Sequence, residues 1–251
     1  MGIEILGSRE QQRMREAGRS AAQTLAAVTA RVRPGMSTAE IDALVRADTA
    51  ARGGVPAQLG YQGFPAAVCT SRNEVVCHGI PSPRVRLRAG DIVNVDVTTR
   101  LRGYHGDTSV TVCVGEASDE ARHVVDVARR CLMAGIEAVR PGGRLGDVGA
   151  AIVALAQHEG CGVVRDYGGH GIGRRMHMDP HVSHVGRRGR GLRLRPGMAF
   201  TIEPMITLGS PHTRLLSDGW TVVTADGRWT AQFEHTVLVT PDGVEVLTAL
   251  E

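Results

Sequence analysis

The 251-residue chain is 22% charged and 42% hydrophobic with a formal net charge of +3, the balance of an ordinary globular protein with a sizeable core. That charge is too small to argue by itself for nucleic acid or membrane, no apolar run reaches the length of a membrane span, and the first residues lack the regions of a signal peptide. All 29 basic residues are arginine, which excludes a Walker A lysine, a Schiff-base lysine and a kinase lysine.

In chain order, Met14, Ala21, Leu25 and Val28 predict an amphipathic helix from Ser8 to about Arg31. After Pro34-Gly35, Ser37 and Glu40 form a capping box that opens a second helix, and Gly53-Gly54 closes it. Strands are expected at 91–99 and 107–114. In the first, Ile92, Asn94, Asp96 and Thr98 fall on one face and Val93, Val95 and Val97 on the other. A third helix runs from Ser118 to about Val139 and a fourth from about Leu145 to Glu159, followed by strands near 198–206, 219–224 and 231–239. The fold class is α+β, without regular βαβ alternation. The five cysteines include no CxxC pair, which favours a reducing compartment over a disulfide or zinc scaffold and makes the cytoplasm the expected location.

The segment "RPGMSTAEIDALV" from Arg33 is echoed by "RPGGRLGDVGAAI" from Arg140, and "RAGDIVNVDVT" from Arg88 by "RPGMAFTIEPM" from Arg195, both at an offset of 107 residues. In that register Asp96 superimposes on Glu203. So long a period reads as a duplicated half-domain, with halves of about 8–115 and 116–247 in a single domain spanning 1–251, rather than a solenoid. The halves would face each other about a pseudo-twofold axis and share a cleft.

Asp96, Glu203 and Glu234 sit inside otherwise apolar strand-like runs, and Asp107 follows a turn after the first of these. Taken singly, each acid could be an edge-strand solubility device or one side of a hairpin ion pair. Together, with His170, they need a counter-charge, and the arginines fall mostly in turns. Four carboxylates and an imidazole are too many anionic ligands for one zinc ion but suit two divalent ions bridged by carboxylates and water. The donor set is compatible with Co, Mn, Fe or Zn and does not choose among them.

The stretches "VVCHGIP", "NVDVT", "HGDTS", "GGHGIG", "FTIEPM" and "AQFEHTV", in this order and spacing, closely resemble the type I methionine aminopeptidases, which are M24-type metallopeptidases. The resemblance covers nearly the whole chain. It implies the pita-bread fold, two pseudo-symmetric α/β halves around a dinuclear metal cleft, with Asp96, Asp107, His170, Glu203 and Glu234 as metal ligands. It also implies removal of the initiator methionine from nascent polypeptides when the second residue is small, by a metal-bridging hydroxide attacking the first peptide bond. Met1-Gly2 of this chain fits that rule.

In the family's pattern Glu203 is the general base, His177 stabilises the oxyanion and His78 contacts the scissile amide. Tyr61, Phe64, Cys69 and Trp220 match its pocket for the methionine side chain, and ordinary core packing is the competing explanation for each. A polarisable thioether suits aromatic and sulfur-bearing walls. Two departures fall here: Met176 stands where many relatives have an aromatic residue, and Gln58 where some have a cysteine. His158, His181, His184 and His212 are read as surface or satisfied core residues. The loop "GRRGRGLRLR", with five arginines between Arg187 and Arg195, is a solvated loop or a transient contact with the ribosome. The family default is a monomer without membrane or DNA partners. Proline peptidases of the same fold and a non-catalytic binding protein are the rivals. The first usually carry an additional N-terminal domain, for which fewer than a hundred residues precede Asp96, and the second typically lose metal ligands.

Overall fold

Of the four α-helices among the described residues, two begin at serine caps. In the computed structural model, which describes residues 2–250 (Met1 of the Met1-Gly2 pair lies outside them), α1 spans Ser8–Thr29 and α2 Thr38–Ala51. Ser37 Oγ accepts the Glu40 N–H at 3.3 Å and Glu40 Oε2 accepts the Ser37 N–H at 2.8 Å, the reciprocal pairing expected of a capping box. Ser118 caps α3 (Asp119–Glu137) by accepting the Ala121 N–H. The fourth helix, α4, is Leu145–His158.

Between α2 and α3 lie β1 (Val55–Pro56), β2 (Cys69–Arg72), β3 (Val75–Cys77), β4 (Ile92–Leu101) and β5 (Tyr104–Cys113). After α4 come β6 (Gly162–Val163), β7 (Gly169–Gly171), β8 (Met178–Val182), β9 (Ala199–Ile202) and β10 (Met205–Thr207). The chain ends with β11 (Thr213–Leu215), β12 (Val222–Thr224), β13 (Thr230–Gln232), β14 (Glu234–Val239) and β15 (Val244–Val246). A nine-stranded sheet runs in the order β1-β4-β5-β14-β9-β7-β8, with β2 also on β4 and β15 on β14. Two three-stranded sheets, β13-β10-β6 and β11-β12-β3, complete the fold.

The expected strands are present with corrected bounds. The 107–114 strand starts earlier, at Tyr104, because β4 and β5 form a long hairpin paired from Ile92↔Cys113 to Leu101↔Tyr104. The 198–206 strand divides at Glu203-Pro204, where proline removes a ladder N–H. The 231–239 strand divides at Phe233, and 219–224 shortens to β12.

Packing decides which face carries the site. Val93, Val95 and Val97 of β4 are fully buried against Leu25 and Val28 of α1 and Ile41 and Val45 of α2. Burying each such side chain contributes about 1.5–3 kcal/mol. Alternation then turns Asn94, Asp96 and Thr98 to the opposite face. On the other side, Val124, Val127 and Leu132 of α3 and Ile152 of α4 pack on Phe200, Ile202 and Val237 of β9 and β14. Helix α1 crosses β5 so closely that a Cβ on Gly106 would lie 2.5 Å from the Gly18 Cα, a contact open only to glycine.

Several backbone bonds recur 107 residues apart. The Gly35 N–H donates to Leu87 O at 2.8 Å and the Gly142 N–H to Leu194 O at 2.9 Å. The bridge Ser37↔Arg86 has its counterpart in Arg144↔Arg193, and α2 and α4 are each 14 residues long. No helix among the described residues is long and apolar enough to cross a membrane.

Candidate metal centre and active site

Five neighbouring strands of the large sheet each deliver one side chain to a common point. Asp96 comes from β4, Asp107 from β5, Glu234 from the first position of β14, Glu203 from the residue after β9, and His170 from β7. The register aligns them: Asp96 pairs with Ser109, which pairs with Glu234, and Asp107 pairs with Thr98, on the same face as Asp96. One donor atom each from Asp107, His170 and Glu234 lie within 4.8 Å of one another. His170 Nε2 is 3.6 Å from Asp107 Oδ2 and 3.7 Å from Glu203 Oε1.

No guanidinium lines the cavity in which these groups meet. Burial pushes the carboxyls far above their usual range, Asp107 to about 7 and Glu203 to about 8, and neighbouring acids add to it at Glu203, Asp96 and Glu234, the last two also well raised. Hydroxyl and amide donors offset part of this penalty. Thr98 Oγ1 donates to Asp107 Oδ1 at 2.7 Å and Thr201 Oγ1 to Glu203 Oε1 at 2.7 Å. Gln232 Nε2 donates to Glu203 Oε2 at 3.1 Å, and Gln58 Nε2 to Asp96 Oδ1 at 3.3 Å. Burial, and then His177, lower His170 to about 3. The imidazole is therefore neutral. Its Nδ1–H donates to Gly171 O at 3.1 Å, which leaves the Nε2 lone pair facing the acids.

Four buried carboxylates and one neutral imidazole lone pair with no internal cation fit divalent ions, which would replace the protons the acids otherwise retain.

The cavity encloses about 300 Å³, and Gln58, Tyr61, Phe64, Cys69, His78, Met176, His177 and Trp220 line it together with the five donors. Phe64 meets Trp220 edge-on at 5.1 Å between ring centroids, Tyr61 lies 5.0 Å from His177, and His177 lies 4.2 Å from His170. His177 is exposed at the rim. His78 holds a left-handed backbone, φ 56°, and the next residue must be glycine, because a Cβ on Gly79 would lie 2.2 Å from Thr70 O. Gln58, one of the two departures from the family's pattern, also donates to the Asp96 main-chain O at 2.9 Å.

Thr98, Thr201, Gln232 and Tyr167 were not singled out from the sequence. Tyr167 stacks edge-on against His78 at 5.8 Å. Thr98 and Gln232 lie within the stretches "NVDVT" and "AQFEHTV", and their spacing of two residues from Asp96 and Glu234, in runs each expected to be one strand, was the available signal. His184, read as a surface or satisfied core residue, is 1% exposed, and its Nε2 accepts the Glu203 N–H at 3.1 Å. His158, His181 and His212 lie outside the cavity.

Comparison with known proteins defines the class. The model of metallopeptidase family M24 matches residues 12–241. Methionine aminopeptidase A of Synechocystis is 52% identical over 246 residues, covering 98% of this chain and 97% of its own. Methionine aminopeptidase 2 of Mycobacterium tuberculosis is 48% identical over 95% of this chain and 84% of its own. The crystal structure of methionine aminopeptidase from Rickettsia prowazekii superimposes with a TM-score of 0.97 at 46% identity, over 99% of this chain and 100% of that one. Prolidase from Pyrococcus furiosus shares the fold with a TM-score of 0.79 at 21% identity, over 98% of this chain and 66% of that one. The chain belongs to metallopeptidase family M24 and has the pita-bread fold.

Proposed function

We propose that the protein is a metal-dependent aminopeptidase that removes the N-terminal methionine from polypeptides whose second residue is small. The observation that carries this reading is the meeting of five metal-type donors with an aromatic and sulfur-lined slot in one cavity. Asp96, Asp107, His170, Glu203 and Glu234 would hold two divalent ions, with Co, Mn, Fe and Zn all compatible. When bound, such ions supply an acidified water and polarise the carbonyl.

The remaining work falls to the side chains. Phe64, Trp220, Cys69, Tyr61 and Met176 enclose the thioether, whose sulfur makes favourable contacts with ring edges. His78 orients the scissile amide. His177, at the rim, donates a hydrogen bond to the developing oxyanion. Glu203, positioned by Thr201, Gln232 and His184, takes the proton of the attacking water. Crowding beside the donors limits the second residue to a small side chain.

The same reading extends to the whole molecule. The bonds that recur at 107 residues support a single domain spanning 1–251, built from two related halves of about 8–115 and 116–247. The substrates are nascent chains in the cytoplasm, reached by a monomer whose arginine-rich loop at 187–195 offers a transient ribosome contact.

The test follows free methionine released from Met-Gly and Met-Pro peptides beside an Ala-Pro peptide, after chelation and reloading with each metal. Metal-restored methionine release with Ala-Pro intact is the expected result. Cleavage of Ala-Pro instead would assign the site to the proline peptidases.

A further inference from the structure

We infer that the substrate chain beyond the scissile bond leaves along an arginine-walled trough, so that the enzyme favours polypeptides with acidic side chains at about their third to fifth residues. This rests on the reading of the central cavity as the site of methionine release.

A cavity of about 300 Å³ has room for one side chain and the reacting amide, and the rest of a polypeptide must pass its rim. Tyr61, Met176 and His177, which stand at that rim, also line an adjoining groove of about 460 Å³. Through Arg174 this groove meets a further depression of about 570 Å³ at the start of α1. The three hollows form one path, and an extended chain covers it at about 3.3 Å per residue.

The walls of the path are one-sided in charge. Arg100, Arg174 and Arg175 line the groove and no acidic side chain does. Further out, Arg9, Arg13 and Arg102 line the depression with a single acid, Glu10. Glu10 is already engaged, accepting from Arg174 at 2.9 Å, from Tyr104 and from the Gly7 N–H. Among the described residues Arg100 and Arg9 have no ion-pair partner, and both are exposed. Val55 and Leu59, which line the same groove, are 49% and 45% exposed, apolar surface over which an extended backbone can lie. Arg174 and Arg102 already pair with Glu4, Glu10 and Glu16, so an acidic tail is met by Arg100 and Arg9, whereas a lysine-rich tail meets like charge.

The experiment compares kcat/KM of the Mn²⁺-loaded enzyme for Met-Ala-Glu-Glu-Glu-Gly and Met-Ala-Lys-Lys-Lys-Gly. At low ionic strength the acidic peptide is expected to be preferred about five- to tenfold, mainly through KM, with the preference shrinking toward unity in ~0.5 M salt as screening shortens. Arg100→Glu is expected to abolish or invert the preference and Arg100→Gln to give an intermediate value. If a variant fails to fold, the salt series on the unaltered enzyme still decides. Equal, salt-independent release of methionine from both peptides overturns this inference and leaves the proposed function standing. Failure to release methionine from either peptide, or from Met-Gly, overturns both.

Discussion

Asp107 and Glu203 show what a buried acid costs and what offsets it. Burial, aided at Glu203 by the neighbouring Asp107, favours the neutral form and pushes their carboxyls up to about 7 and about 8 from ordinary values of 3.8 and 4.5. The folded, metal-free protein thus retains protons that the unfolded chain has released, so stability declines as pH rises from about 4 through about 8. Divalent ions replace those protons and remove the decline. The thermal midpoint of the chelated protein is therefore expected to fall by roughly 5 °C or more between pH 5.5 and 8.5, and that of the metal-loaded protein to stay level. Parallel pH profiles for the two forms would contradict the account. The same chemistry explains why the small donors matter: Thr98, Thr201, Gln58 and Gln232 give Asp107, Glu203 and Asp96 hydrogen bonds in the metal-free state.

At the scale of elements, the site depends on how closely α1 lies on β5. An alanine methyl at Gly106, one residue before Asp107, would lie 2.5 Å from the Gly18 backbone, so α1 must move outward. Gly106→Ala is expected to cost about 1–3 kcal/mol, a loss of roughly 3–10 °C in Tm, with weakened metal binding alongside. An unchanged Tm would show that the helix is not seated as described. The helices were legible in the sequence because their caps, Ser37 with Glu40 and Ser118, are local signals. The β4–β5 hairpin was legible through the alternation of Val93, Val95 and Val97 with Asn94, Asp96 and Thr98. Strands such as β3, β7 and β11, with three residues each, are too short to show a period. They are set by distant partners, as Cys77 is by Val222. The breaks at Glu203-Pro204 and Phe233 were likewise invisible to alternation alone.

Across the whole molecule, the donors are far apart in sequence and adjacent in space because the sheet order places β4, β5, β14, β9 and β7 side by side. Motif order and the 107-residue echo singled out the residues that now line one cavity. Neither could reveal the supporting contact of His184 with Glu203 or the arginine-walled path outside, where Arg174–His177 meet Val55 and Pro56 of β1 and Arg100 of β4. The central claim is that these five side chains hold two divalent ions. Anomalous diffraction from crystals soaked in Mn²⁺ tests it directly. The account predicts two peaks about 3.5–4 Å apart, one or both within bonding distance of Asp96, Asp107, His170, Glu203 and Glu234. A Mn²⁺-saturated crystal with no peak among these residues, or with its ions bound elsewhere, would contradict it.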